Sequence, residues 1–192
     1  MSRYVLGLLL LILQCNANAT TAEAIFSGGN FWYMQSDFDT LPGVLSTLTG
    51  YDGGMMPNPN YHNVSTGNTD YVEAIKVVFD PSKLSYQQLL HYFWLHVDPT
   101  DKNGQFCDKG RPYHSVIFYL NEEQKKLAIS SKLALQQVLP SVYTDIMPTT
   151  QFYAADDSNQ NYYKKNFLFY KYYRWRCHRD QRLKDVWQHT RF

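Results

Sequence analysis

The residues best placed for chemistry are a glutamate, a pair of cysteines and a strand-to-helix turn. Glu73 stands in the run Val72 to Asp80, which reads as a strand, and by period two it shares a face with Ile75, Val77 and Phe79. A carboxyl on an apolar face has its pKa raised by desolvation and can hold a proton for delivery. Gly28-Gly29-Asn30-Phe31-Trp32 sits where an apolar strand hands over to a helix. A side chain there meets free N–H groups and the positive end of the helix dipole, so a cysteine would be activated as a thiolate. The residue present is Asn30, a neutral carboxamide. Taken alone, the segment reads as a tight turn with two aromatics in the core. Cys107 and Cys177 can form one structural bridge or do redox chemistry, and the spacing leaves both open. Asp108 would raise the Cys107 thiol pKa and Lys109 would offset it. His96, His114 and the other histidines show no ligand spacing, so no metal is expected.

Strands alternating with helices must position these groups. Ala24 to Phe26 reads as a strand, Asn30 to Phe38 as a helix, and Val44 to Tyr51 as a strand ended by Asp52-Gly53-Gly54. Residues 55–69 are rich in turn formers and read as loop. Pro81 stops the strand carrying Glu73. Ser85-Tyr86-Gln87-Gln88 is a capping box that opens a helix to about Val97. A polar loop over 98–112 precedes a strand from His114 to Leu120. Asn121 caps a helix running to about Leu139, with Glu122 and Glu123 favourable in its first turn. Val142 to Ile146 reads as a strand, and an aromatic, basic tail follows from Phe152. The pattern predicts an α/β (α+β) fold, a two-layer sandwich of helices on a mixed sheet.

The 192 residues suffice for one domain with a real core, and the 44% apolar content excludes disorder. A formal net charge of +1 gives no case for nucleic acid or an anionic membrane. Residues 1–19 read as an export signal: Arg3, an apolar run from Val5 to Leu13, then Ala17-Asn18-Ala19 for cleavage before Thr20. The run is shorter than the roughly 20 apolar residues of a spanning helix. Gln14 before Cys15 disfavours a lipid anchor there. The expectation is an exported protein, periplasmic or secreted, with residues 20–192 as one domain and a C-terminal tail from about 171. It is expected to act as a monomer without membrane attachment after cleavage.

Ordered fragments across residues 24–182 resemble the peptide methionine sulfoxide reductase A family. Gly29-Asn30-Phe31-Trp32 is similar to its Gly-Cys-Phe-Trp signature, with Asn30 at the nucleophilic cysteine. Leu41-Pro42-Gly43-Val44, Gly50-Tyr51-Asp52-Gly53-Gly54, Asn58-Pro59-Asn60-Tyr61, Val72-Glu73-Ala74-Ile75, His96-Val97-Asp98-Pro99-Thr100 and Gln160-Asn161-Tyr162 follow in the family's order. The resemblance implies reduction of peptide methionine S-sulfoxide. A thiolate attacks sulfur and becomes a sulfenic acid, a second cysteine condenses with it, and a thioredoxin-like donor reduces the disulfide. No bound cofactor is implied. By this resemblance Glu73 is the acid, and Tyr61 and Tyr113 hold the sulfoxide oxygen. Phe31 and Trp32 accept the methyl group, and Asp108 supports the site. Cys177 lies in a Cys-x-Arg-Asp-x-Arg-Leu tail of resolving type. The partners implied are methionine sulfoxide-containing proteins or peptides and a thioredoxin-like protein.

Departures gather at the same place. Asn30 cannot form a sulfenic acid, Gln35 stands where glutamate is usual, and His114 where arginine is usual. Gln105 to Gly110 replaces a more polar loop. Three functions follow for test. One is a reductase with a relocated thiol at Cys107 working with Cys177. Another is a pocket that holds methionine sulfoxide without turnover. The third is a secreted interaction protein whose basic-aromatic tail, Tyr170 to Arg176, is the new surface.

Overall fold

In the computed structural model, which describes residues 20–188 and 190, the sheet has the order β7-β6-β1-β3-β2-β8. The expected export signal and Cys15 lie outside the described residues. The central strands are β1 (Ala22–Gly28) and β3 (Val72–Phe79), antiparallel to each other. Outward lie β6 (Ser115–Tyr119), antiparallel to β1, and β7 (Asp145–Pro148), parallel to β6. On the other side β2 (Val44–Asp52) runs antiparallel to β3, and the two-residue β8 (Tyr153–Ala154) runs antiparallel to β2. The sheet is mixed, as the alternating pattern predicts.

Alternation along the strands sorts the core. Phe26, Ile75, Val77, Phe79 and Ile117 point to one face. There they meet α1 (Phe31–Phe38), α3 (Tyr86–Leu95) and α4 (Glu122–Leu135) through Met34, Phe38, Leu90, Phe93, Trp94 and Ala128. Ile25, Val72, Ala74, Val116 and Phe118 point to the opposite face, covered by Met147 and Phe152. The caps expected from sequence are present. Ser85 and Gln88 form the reciprocal box opening α3, and Asn121 accepts from the Gln124 N–H to open α4.

Differences from the sequence reading lie where local pattern is weak. The expected 55–69 loop contains α2 (Tyr61–Ser65), a single turn capped reciprocally by Asn60 and Asn63. The expected 98–112 loop contains a hairpin of β4 (Gly104–Gln105) and β5 (Asp108–Lys109), then a 3₁₀ turn at Arg111–Tyr113. The strand expected at 142–146 starts later, at Asp145. The tail is helical: α5 (Tyr162–Lys165), α6 (Phe167–Arg176) and α7 (Arg179–Trp187). Aromatics occupy both faces of α6, so its sequence shows no single apolar stripe.

The tail is bound to the body by charge. The Arg179 guanidinium is fully buried, donates to Asp37 at 2.6 Å and to the His96 carbonyl at 2.7 Å, and lies over the rings of Tyr33 and Phe106. Arg174 also donates to Asp37, and Arg182 donates to Asp98 at 2.6 Å. Just before α5, the Gln160 amide bonds to both the N–H and the carbonyl of Thr49 on β2. With the Ala155 N–H, which also bonds the Thr49 carbonyl, it extends the pairing on β2 beyond β8.

Candidate functional site

The site forms where β1 turns into α1. Gly29 has a φ of +88°, a region costly for side-chain-bearing residues, and a Cβ there would stand 2.6 Å from the Cβ of Gln105. Gln105 is itself fixed, bonding both the N–H and the carbonyl of Asp98. The 104–109 hairpin is therefore seated directly on the turn. Gly29→Ala should lower folding stability by about 2 kcal/mol through left-handed strain and that contact, read by urea denaturation.

Asn30 is the N-cap of α1. Its Oδ1 accepts the Trp32 N–H at 2.9 Å, satisfying one of the orphan donors of the helix start. Its Nδ2 has no hydrogen-bond partner among the described residues. The next orphan donor, the Phe31 N–H, goes to Glu73 Oε2 at 3.0 Å. Glu73 is 0% exposed, and its Oε1 has no partner. Burial pushes this carboxyl up to about 8, against the Phe31 hydrogen bond, with Asp108 adding to the rise. Near neutral pH it is an acid holding its proton.

Hydroxyls and rings surround this acid. Tyr51 faces Glu73 across the β2–β3 pair, and its hydroxyl is also unpartnered. Burial and the Glu73 charge raise the phenol of Tyr61 to about 12 and that of Tyr113 further still. Both stay protonated donors through the physiological range. Phe31 packs on Tyr51 at 5.9 Å and on Tyr61 at 6.2 Å between ring centroids. Trp32 stacks on Tyr162 at 3.7 Å, and its indole N–H donates to Asn159. Asp108 is buried, its carboxyl raised by desolvation, and accepts from the Tyr173 hydroxyl.

Glu73, Tyr61, Tyr113, Phe31, Trp32 and Asp108 thus gather about the Asn30 turn. Tyr51, Asn159, Tyr162 and Tyr173 belong to the same surroundings, and the sequence reading had not singled them out. The register of Tyr51 opposite Glu73 was the available signal. The tail tyrosines offered none, because their approach to Trp32 and Asp108 depends on how α5 and α6 fold back. Gln35, the residue at the usual glutamate position, is buried, accepts from the Asn161 N–H and donates to Thr47.

Cys107 and Cys177 are bridged, with Cα atoms 5.1 Å apart. The bridge ties the 104–109 hairpin to the C-terminal end of α6. Neither sulfur is a free thiol in this state, so the relocated-thiol expectation for Cys107 begins from a disulfide. Among the described residues no group of three or more His, Cys, Asp or Glu side chains is placed to hold a metal ion.

An acid and tyrosine hydroxyls are set against an aromatic wall at the turn from β1 into α1. The chain belongs to the peptide methionine sulfoxide reductase family, whose model matches residues 22–191. It is 41% identical over 169 residues to "Peptide methionine sulfoxide reductase MsrA 2" of Caulobacter vibrioides, covering 87% of this chain and 86% of that protein. It is 40% identical over 174 residues to "Peptide methionine sulfoxide reductase MsrA/MsrB" of Vibrio cholerae. That match covers 89% of this chain but spans 46% of the longer relative. Among solved structures, reduced Mxr1 from Saccharomyces cerevisiae matches with a TM-score of 0.72 at 26% identity, over 78% of this chain and 87% of that one. The family role is repair of oxidised methionine in proteins, an oxidoreductase activity.

Proposed function

We propose that the protein keeps the family's methionine sulfoxide pocket but has lost turnover by the standard route, acting as a binder of oxidised methionine in exported proteins or peptides. The observation carrying this is Glu73: fully buried, protonated near neutral pH, with one oxygen unpartnered beside Asn30. A sulfoxide oxygen accepts from the Glu73 hydroxyl and from Tyr61 and Tyr113, while the methyl group lies on Phe31 and Trp32. Asn30 supplies its free Nδ2 as one more donor where a thiolate would have attacked. Without a nucleophile the bound sulfoxide stays intact. Export rests on the pattern of residues 1–19.

Titration calorimetry with a peptide carrying methionine S-sulfoxide, against the same peptide with methionine, tests this. Tight binding to the sulfoxide alone is expected, and equal affinity for both would sink the reading. The pH dependence has a definite sign. The proton that Glu73 donates is present below about 8 and lost above it. Affinity should be flat below that pH and fall by up to about tenfold per pH unit above it. Glu73→Gln, which donates at every pH, should flatten the profile.

A second reading is favoured by the Cys107–Cys177 bridge. Reduction by a thioredoxin-like donor would release Cys107 beside Asp108, on the hairpin that closes the site. In that case sulfoxide reduction appears with thioredoxin or dithiothreitol and is abolished by Cys107→Ser. Activity indifferent to that change removes this reading.

A further inference from the structure

The outer face of α6 reverses the usual arrangement of a surface helix. Its inward side carries the polar work: Arg174 on Asp37, Tyr173 on Asp108 and the Cys177 bridge at its end. Its outward side carries Leu168 at 80% exposed, Tyr172 at 61% and Trp175 at 68%, spaced i, i+4 and i+7 so that they form one stripe. Phe167 and Phe169, at 52% and 74%, widen it at the start of the helix. A contiguous exposed apolar face of this kind marks an interaction site.

Charge identifies the occupant. Between Asp157 and Asp180 the sequence contains no acidic residue, while it contains Lys164, Lys165, Lys171, Arg174, Arg176 and Arg179. Lys164, Lys165, Arg174 and Arg179 are neutralised by Asp39, Asp157, Asp37 and Asp180. Lys171 and Arg176 have no carboxylate partner among the described residues, and they flank the apolar stripe on opposite sides. The Lys171 ammonium lies 4.5 Å from the Phe167 ring centroid, with its stem along the apolar face.

We propose that the outer face of α6 docks on an anionic phospholipid surface, with Leu168, Tyr172 and Trp175 in the acyl–headgroup boundary and Lys171 and Arg176 on headgroup phosphates. Tyrosine and tryptophan suit that boundary because each has an apolar body and a polar tip. A second copy of the chain fits worse, because α6 against α6 would bring cations together with no carboxylate to meet them. A single nucleic-acid strand fits worse too, since it needs a cationic track and the aliphatic Leu168 sits at the centre of the patch. The nearest carboxylates, Asp37 and Asp180 in the cleft beside Lys171 and Trp175, are both engaged by Arg174. The inference is independent of what the Glu73 site binds.

The test is flotation with phosphatidylcholine vesicles, with and without 30% phosphatidylglycerol (about this fraction suffices for a negative surface). It uses the chain from Thr20, which holds every element described. Binding to anionic vesicles only, with a blue shift of tryptophan emission lost in Trp175→Phe, is expected. Leu168→Glu with Trp175→Glu should abolish it. Lys171→Glu with Arg176→Glu should weaken it roughly tenfold or more. These exposed changes leave the fold intact, checked by the melting curve. No binding, binding unchanged in both double variants, concentration-dependent dimerisation through this face, or preference for a single-stranded oligonucleotide each overturns the proposal.

Discussion

Asn30→Cys should raise the rate of methionine S-sulfoxide reduction about a thousandfold or more above the parent. The residue already occupies the helix N-terminus, 3% exposed, with the Trp32 and Phe31 N–H groups turned toward it and its neighbour Glu73. A thiol placed there gains from the positive end of the α1 dipole, which lowers its pKa. Its thiolate attacks sulfur, the sulfoxide oxygen takes the Glu73 proton, and the sulfoxide S–O bond breaks as a new S–O bond forms to the cysteine, leaving cysteine sulfenic acid and the methionine thioether. The cost is the cap: cysteine does not replace the Asn30 hydrogen bond to Trp32, so stability should fall by about 1 kcal/mol. One methionine per protein in a single-turnover assay without reductant is the expected yield, with many when dithiothreitol is present. Adding Glu73→Gln should remove most of the gain. An Asn30→Cys protein that binds the sulfoxide peptide and leaves it unreduced shows that Asn30 is not the sole block.

Replacing Cys177 by serine should cost about 4 kcal/mol of stability, the loop-closure entropy for a bridge with a sequence separation of 70. For a chain of this size that corresponds to a melting temperature lower by about 10 °C, by calorimetry or circular dichroism. Cys107→Ser should give the same loss, and the double variant no more than either alone, because the bridge acts as one unit. Dithiothreitol should bring the parent down to the level of the variants. A loss of less than 1 kcal/mol would place the bridge on a part of the tail already held by Arg179 and Arg182. The bridge also joins the segment bearing Asp108 to the helix bearing Tyr173, so both variants should weaken sulfoxide binding more than they perturb the distant α3–α4 core.

The sheet and its covering helices were legible because alternation along β1 and β3 and the caps at Ser85 and Asn121 are local signals. Glu73 was legible for the same reason: period two places it with Ile75, Val77 and Phe79 whatever the rest of the chain does. Its surroundings were only partly so. Tyr61 and Tyr113 could be selected by likeness to the family, since nothing local separates them from the other tyrosines. Tyr162, Tyr173 and Arg179 depend on a chain reversal at Asn161 and His178, each at a positive φ of about 50°. Non-glycine residues rarely adopt that conformation, and sequence pattern does not announce it. The cysteine pairing was likewise undecided until the hairpin and the end of α6 were brought within bridging distance.

The Gln160 side chain has a consequence for solubility. A strand with an open edge is a template for pairing with another molecule. Just past β8 the Ala155 N–H bonds the Thr49 carbonyl, and the Thr49 N–H is the group the outer edge of β2 would otherwise offer to an approaching segment, with Leu45 and Leu48 exposed further along. Gln160 fills that hydrogen-bonding position with an amide that cannot propagate a ladder. A glutamine of the tail thus acts as a plug against edge-to-edge aggregation.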